Sequence, residues 1–240
     1  MKYLSNKNGF LGIDNKFNFK EKVVVVPFGL EKTVSYGGGT KNGPKEIIKA
    51  SHQVELYDEE LNCEPYKKIG IKTLRPFKID KNIKKALQKI SEINKEIIDK
   101  KLFSLTLGGE HSITPGCIDP FVKKYKKLCI LHFDAHADLR ESYNGEKFSH
   151  ASAIKRCLDF KNVKVVSFGI RNLSQSEMKF YKDNRDTLVQ FKERSLIFTI
   201  IIFICGVWAW VMLAGFGSPV VLFSGFLFGT YLGTILSTIA

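Results

Sequence analysis

Between residues 22 and 194 the chain repeats one pattern: a short apolar run, a turn-rich break, then a stretch whose apolar residues recur every three or four positions. "KVVVVPFG" is continuous and β-branched, as expected of a strand buried on both faces. "LFSLTLGG", "KLCILHFD" and "VKVVSFGI" are similar runs that close on glycine or polar residues. In "KNIKKALQKISEINKEIIDKKL", Ile83, Leu87, Ile90, Ile93 and Ile97 share one helical face, and "GPKEIIKAS" begins a second helix with Pro44 in its first turn. Strand and helix in turn predict an α/β fold, a parallel sheet covered by helices, with sites gathered beyond the carboxyl ends of the strands.

That placement gives meaning to the polar residues. "LTLGGEHSITPG" delivers Glu110 and His111 just past one predicted strand, and "ILHFDAHADLR" delivers Asp134, His136 and Asp138 past the next. Residues two apart on an extended backbone point to the same side, so these three converge. Carboxylates packed together resist ionisation unless a cation neutralises them. Oxygen and imidazole donors suit a divalent ion such as Mn²⁺. His132 lies inside the apolar run and is expected to be a supporting or packed residue; His52, amid surface charge, is expected to be structural.

Composition changes the picture at one point. Every Asp, Glu, Lys and Arg lies at or before Arg194, and residues 195–240 carry none. "SLIFTIIIFICGVWAWVML" is about long enough to cross a hydrocarbon core as a helix, and "VVLFSGFLFGTYLGTILSTIA" could cross again or re-enter after the break "AGFGSP". Basic Lys182, Arg185, Lys192 and Arg194 would hold their side in the cytoplasm. The formal charge of +13 does not mark a nucleic-acid binder, because the lysines are spread along the chain at helix-face spacing. The five cysteines are odd in number and unpaired in spacing, which predicts reduced thiols. The expected organisation is a head over residues 1–183, a junction over 184–194 and a membrane segment over 195–240.

Several stretches resemble one family in that family's order. "VSYGGGTKNGPKEIIKASHQVELYDEEL", "GGEHSITPG", "FDAHADLRESYNGEKFSHASAIKR" and "VSFGIRNLSQSE" are similar to segments of the ureohydrolases, the arginase and agmatinase family, and most like agmatinases. The resemblance runs from about Val23 to Phe180 and implies a partial three-layer α/β/α parallel sheet of the arginase type. It implies that His111, Asp134, His136 and Asp138 hold a two-manganese centre, with Asp134 bridging, and that His150 in "FSHAS" relays a proton. The implied reaction is hydrolysis of a small guanidino compound, agmatine plus water giving putrescine and urea. The family's later portion carries an Asp-x-Asp pair and a glutamate, whereas after Arg171 this chain has Glu177, Asp183, Asp186 and Glu193. An incomplete second metal site and impaired turnover are therefore expected, and a family-type homo-oligomer, possible in principle, is not favoured for a truncated head. "AGFGSPVVLFSGFLFGTYLGTILSTIA" resembles the start of the VTT/DedA-like membrane family, the SNARE-associated Golgi proteins. An integral membrane protein carrying the head as a passenger is the alternative expectation.

Overall fold

Four consecutive β-branched or apolar side chains build β1 (Val23–Phe28), in which Val24, Val25, Val26 and Phe28 are fully buried. Neighbouring residues point to opposite faces, so β1 is covered on both, as its pattern predicts. The computed structural model describes residues 1–14 and 20–191. β1 pairs in parallel with β2 (Ile71–Thr73) on one side and β3 (Phe103–Gly108) on the other. Pro27 would normally break a central strand, because it has no N–H for the ladder. Here β2 pairs only with Val23 to Val25, so Pro27 lies past the end of β2 and keeps its register with Leu107 of β3.

Helices follow the apolar spacing. α1 (Gly43–Ala50) begins with Pro44 and buries Ile48, and the four-residue α2 (Tyr66–Ile69) precedes β2. α3 (Ile83–Asp99) is capped by Asn82, whose side chain accepts from Lys85 N at 3.2 Å. Its buried Ile83, Leu87, Ile90 and Ile97 pack on Val24, Val26 and Phe28, with Ile93 partly buried beside them as a neighbour. α4 (Thr114–Lys124) packs along α3, while its Ile118 and Val122 reach a second apolar cluster around Val163 and Val165. One helix thus belongs to two cores.

The second core lies under β4 (Leu128–Phe133) and β5 (Val163–Phe168), which pair in parallel from Leu128↔Val163 to Phe133↔Phe168. α5 (Ala153–Cys157) connects them, and α6 (Gln175–Asp183) leads to β6 (Leu188–Phe191), a strand inside the stretch expected to be a junction. Ser174 caps α6 by accepting from Glu177 N at 3.4 Å, while the Glu177 carboxylate accepts from Ser174 N at 2.7 Å, a reciprocal capping box. Ser174→Ala is expected to cost about 1 kcal/mol, read as a lower urea midpoint at unchanged slope.

One expectation needs correction. The strands form two three-stranded sheets, β2-β1-β3 and β4-β5-β6, instead of one. β3 and β4 are consecutive in the chain, yet each is the last strand of its own sheet. Phe103, Leu131 and Phe133 are consequently 65%, 60% and 73% exposed. An apolar run shows that a strand forms; it does not say which neighbour supplies its hydrogen bonds.

Among the described residues no helix is long and apolar enough to cross a membrane. The expected membrane segment, residues 195–240, and its VTT/DedA-like resemblance lie outside the described residues.

Candidate metal centre

The carboxyl ends of β3 and β4 meet. Past β3, the backbone at Gly109 passes so close to β1 that an added Cβ would sit 2.1 Å from the Leu30 carbonyl oxygen, and Glu110 N donates to that same carbonyl at 2.9 Å. This fixes where the next residue, His111, begins its short 3-10 turn (His111–Ile113). Past β4, residues 134–139 run beside the chain that follows β5. Asp134 N donates to Phe168 O at 3.1 Å, Asn172 N to Ala135 O at 3.0 Å and Ala137 N to Asn172 O at 3.2 Å. The pairing keeps the row extended through His136, which bridges to Asn172.

Asp138 then turns the chain with a φ of +51°, a left-handed conformation that Asp tolerates better than most residues. The turn lets its carbonyl accept from Ile154 N and Lys155 N at the start of α5, while its carboxylate faces His111. His111 Nδ1 lies 2.6 Å from Asp138 Oδ2 and 3.5 Å from Asp134 Oδ2. His132 Nε2 approaches the same Asp134 oxygen at 3.5 Å, and His136 Nδ1 approaches Oδ1 at 3.5 Å. One carboxylate therefore meets three imidazoles, two on one oxygen and one on the other.

The nitrogens of His111 and His132 and an oxygen of Asp134 all lie within 4.8 Å of one another, close enough for a single ion. His132 was expected to support or pack, and its ring is indeed buried, with Nδ1 3.0 Å from Ser167 Oγ. Its Nε2 is also buried but has no hydrogen-bond partner. A buried orphan nitrogen beside a carboxylate is a group that a divalent cation would satisfy, so the donor set fits a metal. Strand alternation puts His132 on the same side as Asp134, a signal present in the sequence. Asp138 and His136 flank this trio instead of joining it: Asp138 is bonded to His111, and the His136 side chain is 61% exposed.

Electrostatics follow from this crowding. Burial pushes the Asp134 carboxyl up, but the His136 backbone N–H and the imidazoles of His111 and His132 outweigh it and hold the group below the ordinary carboxylate value. Burial, helped by His111, holds His132 below the usual imidazole value against the pull of Asp134 and Asp138. Because its folded value is depressed, the unfolded chain binds the proton more readily. The stability contributed by neutral His132 is full above the unfolded value of about 6.5 and is lost as pH falls below it. Metal-free protein is therefore expected to show a falling urea midpoint between pH 7.5 and 5.5, by at most about 1.4 kcal/mol per pH unit from this group. His132→Gln should flatten that slope.

His111, Asp134, His136 and Asp138 line a cavity of about 550 Å³, together with Ser35, Tyr36, Tyr143 and His150. His150, at the start of a 3-10 turn, places Nδ1 3.1 Å from Thr33 Oγ1 and Nε2 2.9 Å from Ser35 Oγ, with the Tyr143 ring edge-on at 5.3 Å. Glu177 also lines the cavity and is buried, with Leu139 N donating to it at 3.0 Å. Arg140 lies across the Tyr143 ring at 5.5 Å and 3.8 Å from Glu177. Sequence reasoning gave no role to Thr33, Ser35, Tyr143 or Glu177. His52, as expected, is structural: its Nε2 lies 2.8 Å from Gly9 O.

Residues 21–195 match the model of the arginase family. The chain belongs to the arginase family. It is 36% identical over 197 residues to an agmatinase of Bacillus cereus, covering 80% of this chain and 67% of that one. It is 32% identical over 168 residues to the N(1)-aminopropylagmatine ureohydrolase of Synechocystis, covering 67% of this chain and 54% of that one. Among solved structures, the agmatine ureohydrolase of Thermoplasma volcanium superposes with a TM-score of 0.62 at 27% identity, over 71% of this chain and 56% of that one. The chain thus spans about two thirds of the Bacillus relative and little more than half of the other two. An arginase-family fold accounts for the parallel strands and for the ligand-rich loops at their carboxyl ends.

Proposed function

We propose that this chain carries the metal-binding portion of an agmatinase-type ureohydrolase, which hydrolyses agmatine to putrescine and urea. The observation that carries the reading is the Asp134 carboxylate facing His111 and His132 on one oxygen and His136 on the other, below a cavity that also presents His150. The mixed oxygen and imidazole set suits Mn²⁺. His111, Asp134 and the buried Nε2 of His132 would hold one ion, with Asp138 joining once its bond to His111 is given up; His136 and Asp134 would hold another. Such a pair, when bound, activates water for attack at neutral pH.

The chain's own residues supply the rest. An ionised carboxylate only accepts, so the hydrogen in the His111–Asp138 contact sits on Nδ1. A cation at that nitrogen requires the ring hydrogen to sit on Nε2 instead, so metal binding would switch the His111 tautomer and free the Asp138 carboxylate. Asp134, Asp138 and Glu177 around the cavity favour a cationic guanidinium. His150 faces the cavity as the group that hands a proton to the departing amine.

Purified chain should release urea from agmatine only with manganese, and His150→Asn should lower that rate by roughly 10²- to 10⁴-fold while leaving manganese binding intact. Failure to bind manganese in calorimetry would sink the reading. Among the described residues a second ion would find fewer ligands than the first. We propose that it binds more weakly, so that turnover climbs with manganese beyond saturation of the first. Arginine and guanidinobutyrate are the comparison substrates.

For residues 195–240 we propose membrane attachment, supported by the charge-free sequence alone. Release of the full chain from membranes by carbonate would count against it.

A further inference from the structure

The Glu110 carboxylate is buried, 6% exposed, and four donors converge on it. Lys32 N and Thr33 N donate to Oε2 at 3.0 and 2.7 Å; Thr33 Oγ1 and Ser112 Oγ lie 3.2 and 2.6 Å from Oε1. In all four contacts a carboxylate oxygen is the acceptor, and each oxygen is met by two donors. In each contact the hydrogen must sit on the partner. Were it otherwise, the lone pairs of Thr33 Oγ1 and Glu110 Oε1 would face each other in a buried place.

A threonine hydroxyl has one hydrogen and two lone pairs. If Thr33 gives its hydrogen to Glu110, it has only lone pairs for its other two neighbours. Those neighbours are both on His150: the backbone N at 3.0 Å and the ring Nδ1 at 3.1 Å. The backbone N is a donor by necessity, and Nδ1 must be one as well. The hydroxyl is then fully used, with one bond given and two received. We infer that Glu110, acting through Thr33, fixes His150 as the tautomer protonated on Nδ1 and leaves Nε2, beside Ser35 at the cavity, as the atom that exchanges protons.

The inference deepens the ureohydrolase reading, because it names the atom of His150 that works; the tautomer itself rests on the hydrogen-bond count alone. In turnover a proton released by the attacking water passes to Nε2, and from Nε2 to the amine nitrogen as its bond to the guanidinium carbon breaks. Nδ1–H stays on Thr33 throughout, and the ring ends as it began. Glu110 and Thr33 are positioning residues: they set which nitrogen is free, and Tyr143, edge-on to the ring, holds its plane.

Imidazole ¹⁵N spectra of the full metal-free chain test this, recorded above the histidine titration range, with His150→Asn identifying the signal among the five histidines. Wild type should show Nδ1 in the protonated range and Nε2 in the unprotonated range. Thr33→Ser should keep that pattern. Thr33→Val, which preserves shape but removes the hydroxyl, should shift the signals to the tautomer mixture of an unconstrained imidazole. Wild-type signals with the hydrogen on Nε2 would overturn the inference whatever the variants do. So would an unchanged pattern in a Thr33→Val protein that melts like wild type. A chain with the predicted spectrum and no urea release would overturn the enzyme reading and leave the tautomer standing.

Discussion

Replacing Asp134 with alanine is expected to abolish manganese-dependent urea release. Its two oxygens meet three imidazole nitrogens at 3.5 Å each, so among the described residues it is the point on which the candidate ligands converge. Loss of a residue that merely orients a ligand lowers metal affinity about 10- to 100-fold, and loss of a shared ligand should exceed the upper end of that range. The fold should survive. Asp134 belongs to the ladder through its backbone N–H to Phe168 O, which alanine keeps, and its side chain is only partly buried. Calorimetry reads the affinity and circular dichroism the fold; an Asp134→Ala protein that binds manganese like wild type would remove the carboxylate from the centre.

Gly109→Ala should be the most damaging single-methyl change near the site. A Cβ there would lie 2.1 Å from the Leu30 carbonyl oxygen and 2.9 Å from the Leu30 nitrogen, both backbone, so no side chain can turn aside to make room. Either β1 and the turn after β3 separate, or the turn carrying Glu110 and His111 moves. We expect a loss of about 3 kcal/mol or more, beyond ordinary overpacking, and a weakened metal site in whatever folds. Gly38→Ala is the control. Its Cβ would meet only a Glu31 carboxylate oxygen at 3.5 Å, and its effect should stay within about 0.5 kcal/mol. Equal urea midpoints for the two variants would refute the backbone contact.

The sequence made some of this legible and hid the rest for physical reasons. A run such as Val23 to Phe28 can only be stable as a strand covered on both faces, and the spacing from Ile83 to Ile97 can only bury one helical face; both are local facts. The row Asp134, His136, Asp138 is only partly local: alternation holds as far as His136, and Asp138 reaches His111 through a left-handed turn instead of by sharing a strand face with Asp134. The tautomer-setting contacts are not local: Thr33 and His150 are 117 positions apart, and no period connects them. Glu177 was half legible. Ser174 followed three residues later by a glutamate announces a helix start, but its hold on Leu139, 38 positions back, comes only from the fold. The break between β3 and β4 was hidden for the same reason, because strand partners are chosen across space.

That break would give a bound metal a mechanical role as well as a chemical one. His111 follows the last strand of one sheet, and Asp134 follows the last strand of the other. No strand ladder joins the two among the described residues. An ion held by both residues would therefore act as a rivet between separate plates, its binding energy resisting their separation. At a thousand times its dissociation constant such an ion adds about 4 kcal/mol to the folded state. Chelation should then loosen the seam before it melts either sheet, and amide exchange at the ends of β3 and β4 would report the occupancy of the centre.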